Sequence, residues 1–303
     1  MKTTLSLPLS EMIHLSTGGT YSDIENYYAV AGPDYEAWSP DFNMHFGYAR
    51  KWTDIFSLEK MLVSMNETVI DRLGIDPHKN TLIADLGCGV GAVTAYTANR
   101  YPAATIKGIT IVDYQIQKGN EMLVEKGLDN RAELLNENFE RLSFEDEMFD
   151  HSYALESACH SSGSSKALFR RELARTLKTG GTFCIADGFL KQGNDRPWLF
   201  DKIYKKILAC WALPCFGNLD EFVAGLRENG LQEIRVEEIS MNIAPSVMHV
   251  PRVCIKFLLS ELWKNKSLHL KKERWNNVYG PLLGMVLGLF RKHFGYYIIS
   301  GKK

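Results

Sequence analysis

Residues 81–93 read TLIADLGCGVGAV, an apolar run that breaks into a glycine-rich turn just after an acid, Asp85. A turn of this kind lets a ligand approach the backbone without meeting Cβ atoms and opens a helix whose N–H groups attract anions. Two cofactor classes compete for it. Gly87, Gly89 and Ala92 satisfy the G-x-G-x-x-A spacing of a dinucleotide site, with Asp113 after the second apolar run as the ribose acid. Asp85, two residues before the first glycine, has no place in that fingerprint, and a carboxylate there repels a pyrophosphate. A second reactive pair follows in FDHSYALESACH, where Glu156 and His160 stand at the end of a strand-like run. A carboxylate and an imidazole at that edge of an α/β sheet are suited to taking a proton from a bound acceptor. Enclosure by the aromatic segment upstream would raise the pKa of Glu156 by desolvation. The structural alternative pairs Glu156 with Arg170 or Arg171 and leaves His160 as a hydrogen-bonder.

The elements that must carry these groups alternate from residue 81 onward. TLIADL, TIKGITIV, AELLNEN, FDHSYALES and TFCIADGF read as five strands, separated by helical GAVTAYTANRY, YQIQKGNEMLVEKGL and SKALFRRELARTLKTGG. Gly180 and Gly181 suit a C-cap of the last of these helices. NLDEFVAGLRENG is a further helix, capped near Asn218 or Asp220 and ended by Gly230, and LQEIRVEEIS and GYYIISGKK are the closing strands. About fifty residues, 245–294, separate those two strands, far more than a sheet connection needs. They read as a helical cap that covers a site or forms a subunit interface. Residues 1–75 form a second accessory region, whose part 27–52 holds Tyr27, Tyr28, Tyr35, Trp38, Phe42, Phe46, Tyr48 and Trp52. These aromatics either pack on the core or wall an apolar pocket.

The 303 residues suffice for a large α/β domain, here 76–303 with the 1–75 cap in front. A net charge of −1 provides no electrostatic footprint for nucleic acid or an anionic membrane. Six cysteines without C-x-x-C, and with no histidines at zinc spacing, read as reduced thiols of a cytoplasmic protein, and no metal is expected. The N-terminal MKTTLSLPLSEMIHLSTGG, broken by Pro8 and Glu11, lacks a signal-peptide core. YGPLLGMVLGLF is too short to span a bilayer, so no transmembrane segment is expected. That run reads as a buried helix or an interfacial contact.

Together these motifs resemble class I S-adenosylmethionine-dependent methyltransferases. Within them the chain is most similar to the sterol, tocopherol, prenyl-diphosphate and cyclopropane-fatty-acid group. The resemblance spans roughly residues 22–245 and rests on ADLGCGVG, GITIVDYQ, NFERLSFEDEMFDHSYALESACH and YYAVAGPDYEAWSPDFNMHFGY. It implies a Rossmann-like seven-stranded sheet with an antiparallel last strand. The cofactor implied is S-adenosyl-L-methionine, bound by Asp85, Gly87, Cys88, Gly89, Gly91, Thr110, Gln115, Asn138, Phe139 and Tyr28. Asn138 stands where the family often has Asp. The resemblance further implies methyl transfer to a carbon of an apolar, isoprenoid-like or other natural-product molecule. Glu156 and His160 are then the catalytic candidates, and Trp38, Phe46, Tyr48, His249 and Arg252 the acceptor-binding ones. Lys202, Lys205 and Lys206 form either an anion site or a solvated face. N- or O-methylation of a small metabolite, and an inactive binding protein on the same scaffold, are the competing readings. The caps are candidate surfaces for homo-oligomers.

Overall fold

In the computed structural model, which describes residues 20–192 and 195–303, β1 (Thr81–Leu86) runs through the middle of a mixed sheet. β2 (Ala104–Thr110) and β3 (Ala132–Asn136) lie on one side of it. On the other lie β4 (Phe149–Leu155), β5 (Leu177–Leu190), β8 (Phe294–Lys302) and β7 (Gln232–Glu238), in that order. The first five strands are mutually parallel, and β8 runs antiparallel between β5 and β7. The central strands are apolar on both faces because helices cover both. On one face α2 (Leu58–Asp71), α3 (Ala92–Arg100), α4 (Asp113–Glu125) and α8 (Ser240–Val247) bring Met65, Val93, Leu123 and Ile243 onto Ile83, Ile106 and Tyr153. On the other, α5 (Ala167–Thr176) and α7 (Leu219–Glu228) pack Phe169, Leu173, Phe222 and Leu226 against Ala84, Ile109 and Phe183.

Two expectations are corrected. The sheet has eight strands, not seven, because β6 (Gly217–Asn218) pairs in parallel with Phe189 and Leu190. β5 is 14 residues long, against seven for β4, and its overhanging end offers backbone groups that a passing two-residue segment can take. Gly180 and Gly181 do not cap a helix either. α5 stops at Thr176, and the glycines belong to β5, where the Gly180 N–H donates to the Lys303 carbonyl at 2.7 Å and the Lys303 N–H to the Gly181 carbonyl at 2.9 Å. Pairing with the chain's last residue overrides the local helix-stop signal. Asn218 does cap α7, accepting from the Asp220 and Glu221 N–H groups, and Gly230 takes φ +84° beyond its end. The signal-peptide expectation falls on residues 1–19, outside the described residues.

Above the C-terminal edge of the parallel strands sits a roof made from two distant parts of the chain. The N-terminal part is α1 (Tyr21–Ala31), a 3-10 turn Gly32–Ala37, an irregular stretch, and a 3-10 turn Trp52–Phe56. Thr20 and Asp23 form a reciprocal capping box that starts α1. The C-terminal part is α9 (Val250–Asn265) and α10 (Lys272–Leu287), with α6 (Trp198–Cys210) beneath, where Phe200, Ile203, Ile207 and Leu287 share a small core. One side chain clamps the two parts. Arg274 Nη2 and Nε donate to the two Asp34 oxygens at 2.7 and 2.9 Å, and its Nη1 donates to Glu261 Oε2 at 2.9 Å. Its guanidinium also lies 5.3 Å from the Phe257 ring centre. Removing Arg274 leaves the largely buried Asp34 carboxylate without a partner and Glu261 with only the Asn265 amide. Arg274→Met is therefore expected to lower unfolding free energy by about 2–4 kcal/mol in denaturant titration, with Asp34→Asn in the same chain restoring part of it. A change within error would show that the clamp does not hold the roof.

Candidate active site

Because β1 and β2 end side by side, with Leu86 opposite Ile109, the turn after β1 is held from beneath. The N–H groups of Gly87 and Cys88 both donate to the Ile109 carbonyl at 2.9 Å. Gly87 adopts φ +86°, and a Cβ there would lie 2.2 Å from the Ser157 Cβ, so glycine is required where the loop after β4 crosses the turn. Above the turn opens a cavity lined by Asp85, Gly87, Cys88 and Gly89, by Ala92 and Val93 at the start of α3, and by Thr110, Gln115, Asn138 and Phe139. Gly91, at φ +83°, is the N-cap residue of α3 rather than a lining residue.

The polar groups of this cavity are set by their neighbours. Asp85 Oδ2 accepts from Thr94 Oγ1 at 2.7 Å and from the Tyr153 hydroxyl at 2.9 Å. Burial pushes its pKa up to about 7, and the two hydrogen bonds only partly oppose that. A carboxylate so poorly solvated gains most from an adjacent cation. Thr110 Oγ1 donates to Gln115 Oε1 at 2.6 Å, which engages the amide oxygen and leaves the amide NH2 to donate elsewhere. Asn138 is oriented the same way, its Oδ1 accepting from the Glu140 N–H at 2.8 Å. Ile111 and Val112, with Phe139, supply flat apolar wall beside these amides. The donor set suits a ligand with a cation near Asp85, an anion at the α3 N-terminus and a planar heterocycle between Val112 and Phe139.

A second, larger cavity of about 1220 Å³, open solvent at its mouth included, lies under the roof. Its walls are Trp38, Phe46, Trp211, Phe216, Phe257 and other apolar residues of both roof parts, and among the described residues neither Lys nor Arg lines it. Tyr28, Met44, His45, Glu156 and His160 line both cavities and so form the seam between them. Glu156 follows the last residue of β4 and sits at φ +52°, a left-handed conformation that costs about 1–2 kcal/mol for a residue with a Cβ. Its N–H donates to the Ala186 carbonyl at 2.8 Å, and its Oε1 accepts from the Phe46 N–H at 2.7 Å and the Tyr296 hydroxyl at 2.8 Å. Burial raises its pKa to about 8 against the pull of those two bonds, with the Asp187 charge adding to the rise. Arg170 and Arg171 are engaged elsewhere, with the Glu221 carbonyl and with Glu172. His160 Nε2 lies 3.1 Å from the Tyr28 hydroxyl, and burial lowers its pKa to about 3, so the ring is neutral.

Several residues sit elsewhere than the sequence suggests. Tyr48 packs on the core outside both cavities; His249, which donates to the Ile55 carbonyl at 2.8 Å, and the exposed Arg252 also lie outside them. Lys202, Lys205 and Lys206 are exposed on α6, and Asp113 is an exposed partner of Asn136. Of the buried charges that escaped sequence reading, two lie at or beneath the site. Asp187, near the end of β5, accepts from the Cys159 and Gly188 N–H groups and lines the larger cavity, with burial raising its pKa to about 6. Its signal was an acid inside an otherwise apolar strand. Lys166 is fully buried and donates to the carbonyls of Cys159, Ser161 and Cys215 at 2.9, 2.6 and 2.7 Å, pinning the loop that carries His160. Nothing local in SSKALF signals this. Among the described residues no group of three His, Cys, Asp or Glu side chains is placed to hold a metal.

The raised acids set a pH dependence. Glu156 protonates near 8 when folded, against 4.5 for an ordinary glutamate, and Asp85 shifts in the same direction. The folded, unliganded protein therefore binds extra protons between those values. Their stabilisation is complete below about pH 4.5 and is lost as pH rises to about 8. Thermal melts across this window should show falling stability, with a shallower fall in Glu156→Gln. An identical pH slope in that variant would contradict a buried, proton-retaining Glu156.

Comparisons with known proteins agree with this geometry. A methyltransferase-domain family model matches residues 84–185, from β1 into β5. The chain is 26% identical to methyltransferase GfsG of Streptomyces halstedii over 271 residues, covering 88% of this chain and 92% of that one. It is 32% identical to the sterol 24-C-methyltransferase of Kluyveromyces lactis over 171 residues, or 56% of this chain and 43% of the yeast protein. The chain spans about half the length of the plant and yeast sterol and tocopherol methyltransferases it matches. Its fold is that of the cyclopropane synthase MmaA2 from Mycobacterium tuberculosis, with a TM-score of 0.80 at 15% identity over 95% of this chain and all of that one. With its glycine turn, its sheet order and these relatives, the chain is an S-adenosylmethionine-dependent methyltransferase that resembles the class I enzymes, its methyltransferase domain lying at residues 84–185.

Proposed function

We propose that this enzyme methylates a carbon of a largely apolar, isoprenoid-like or related natural-product acceptor. Its cofactor, S-adenosylmethionine, supplies an electrophilic methyl group on a positively charged sulfur. In this reading Asp85 holds the amino group, the start of α3 the carboxylate, Gln115 the ribose, and Asn138 with Phe139 the adenine. The observation that carries the proposal is Glu156, a proton-hungry carboxylate at the seam between a polar, glycine-lined cavity and an apolar one. Methylating an alkene carbon leaves a carbocation on the acceptor, which becomes neutral again by losing a proton. A sulfonium beside Glu156 favours its ionised form, which is then the base for that proton, and the faces of Tyr28, Trp38 and Phe46 favour the cation. That no Lys or Arg among the described residues lines the larger cavity favours an acceptor without a diphosphate. The sterol 24-C-methyltransferase among the relatives is in keeping with this choice.

A second reading, methylation of oxygen or nitrogen, draws on Asp187, whose carboxylate lines the same cavity and can accept a proton from a hydroxyl or amine. Product analysis by mass spectrometry after incubation with labelled cofactor and a panel of alkenes, phenols and amines separates the two. Glu156→Gln retains shape and most hydrogen bonds but removes the base. Its turnover is expected to fall by about 10²–10⁴, the contribution of a positioned base, with affinity for S-adenosylhomocysteine within a few-fold of the parent. A stable variant with parental turnover would remove Glu156 from the mechanism.

A further inference from the structure

The helix that walls the acceptor cavity also carries a large exposed apolar surface. We propose that the outer face of α9, with the turn before it, docks on an anionic lipid bilayer and receives the acceptor from that phase. This inference rests on the acceptor being lipophilic. At roughly 100° per residue, α9 has two opposed faces. Val250, Val253, Cys254 and Phe257 line the acceptor cavity. On the far side stand Ile255, Leu259 and Trp263, 59, 61 and 75% exposed, together with Leu262. The exposed Arg252 and Lys256 share that outer face, and no acid does. From 250 to 272 the chain carries Arg252, Lys256, Lys264, Lys266, Lys271 and Lys272 against one acid, Glu261, which is engaged by Arg274. A net charge of −1 for the whole chain conceals this local concentration.

The apolar surface continues beyond the helix. Met248, in the turn before α9, is exposed, and the neighbouring His249 donates to the Ile55 carbonyl. That bond ties in the Trp52–Phe56 turn, whose two end aromatics are exposed as well. Large apolar side chains gathered beside cations, with the one acid of the Trp52–Phe56 turn, Asp54, buried and paired with Lys60, match the interfacial layer of an anionic bilayer. Two copies of the same face would bring cations together, so charge disfavours a symmetric dimer here. The stretch Ser240–Asn265 is long and apolar enough to cross a membrane by length and composition. Pro245, the break between α8 and α9, and the cavity-lining inner face instead suit a helix lying in the interface.

Flotation of the full chain with vesicles tests the proposal. With phosphatidylcholine and phosphatidylglycerol at about 7:3 the protein should float, and binding should weaken about ten-fold on phosphatidylcholine alone. The pair Leu259→Glu and Trp263→Glu should lower vesicle binding by about ten-fold or more. The same pair should leave S-adenosylhomocysteine affinity and methylation of detergent-dispersed acceptor unchanged. Failure of the parent protein to float, equal flotation of the variant, or a dimer in sedimentation velocity that the variant abolishes would each overturn docking. If detergent-dispersed alkenes are methylated but the protein does not float, only the docking proposal fails. If no apolar acceptor is methylated in detergent, the functional reading beneath it fails.

Discussion

A single buried carboxylate joins the three parts of this enzyme. Glu156 directly follows β4, while the N–H of Phe46 from the N-terminal roof and the hydroxyl of Tyr296 from the last strand both donate to its Oε1. Taking a carboxylate out of water is costly, and two hydrogen bonds offset only part of that cost; the remainder appears as a pKa near 8. The backbone is strained at the same residue. Strain and desolvation at one position are tolerated because the surrounding sheet and roof hold it from several sides. The aromatic segment is itself fixed around this contact, since Trp38 Nε1 donates to the His45 carbonyl at 3.0 Å and the Trp38 ring meets Phe46 edge-on at 5.9 Å.

The two cavities then divide the chemistry by their electrostatics. On the sheet side, the turn after β1 and the start of α3 combine backbone donors with one poorly solvated acid. On the roof side, apolar walls enclose Asp34, Asp187 and two neutral histidines. Among the described residues no Lys or Arg faces the larger cavity, so an apolar ligand there would desolvate none. Lys166, buried beneath the loop after β4, stabilises that loop through three carbonyls rather than by contact with either cavity.

Much of this was legible in the sequence where local pattern and tertiary demand agree. The five parallel strands are apolar runs bounded by polar turns, and the acid-glycine turn can only follow a strand and open a helix. Asp85, Thr110, Gln115, Asn138 and Phe139 line one cavity because the loops after consecutive parallel strands meet at one sheet edge. What stayed hidden depends on contacts between distant segments. Gly180 and Gly181 look like a helix stop but pair with the C-terminal Lys303. Two residues, Gly217 and Asn218, are too short a signal to read as a strand. His249 and Arg252 look like anion binders at a cap mouth, yet the helix phase of α9 turns its cavity face to Val250 and Val253 instead. Asp187 and Lys166 are charges whose burial only the folded chain reveals.

The central claim is that methyl transfer occurs across the seam where Tyr28, Met44, His45, Glu156 and His160 line both cavities. A crystal structure of the protein with S-adenosylhomocysteine tests it most directly. The account predicts the amino acid end at Asp85 and the α3 N-terminus, the purine beside Phe139, and the sulfur at the seam, facing the apolar cavity. A ligand bound in the apolar cavity, or a sulfur turned away from Glu156 and His160, would contradict it.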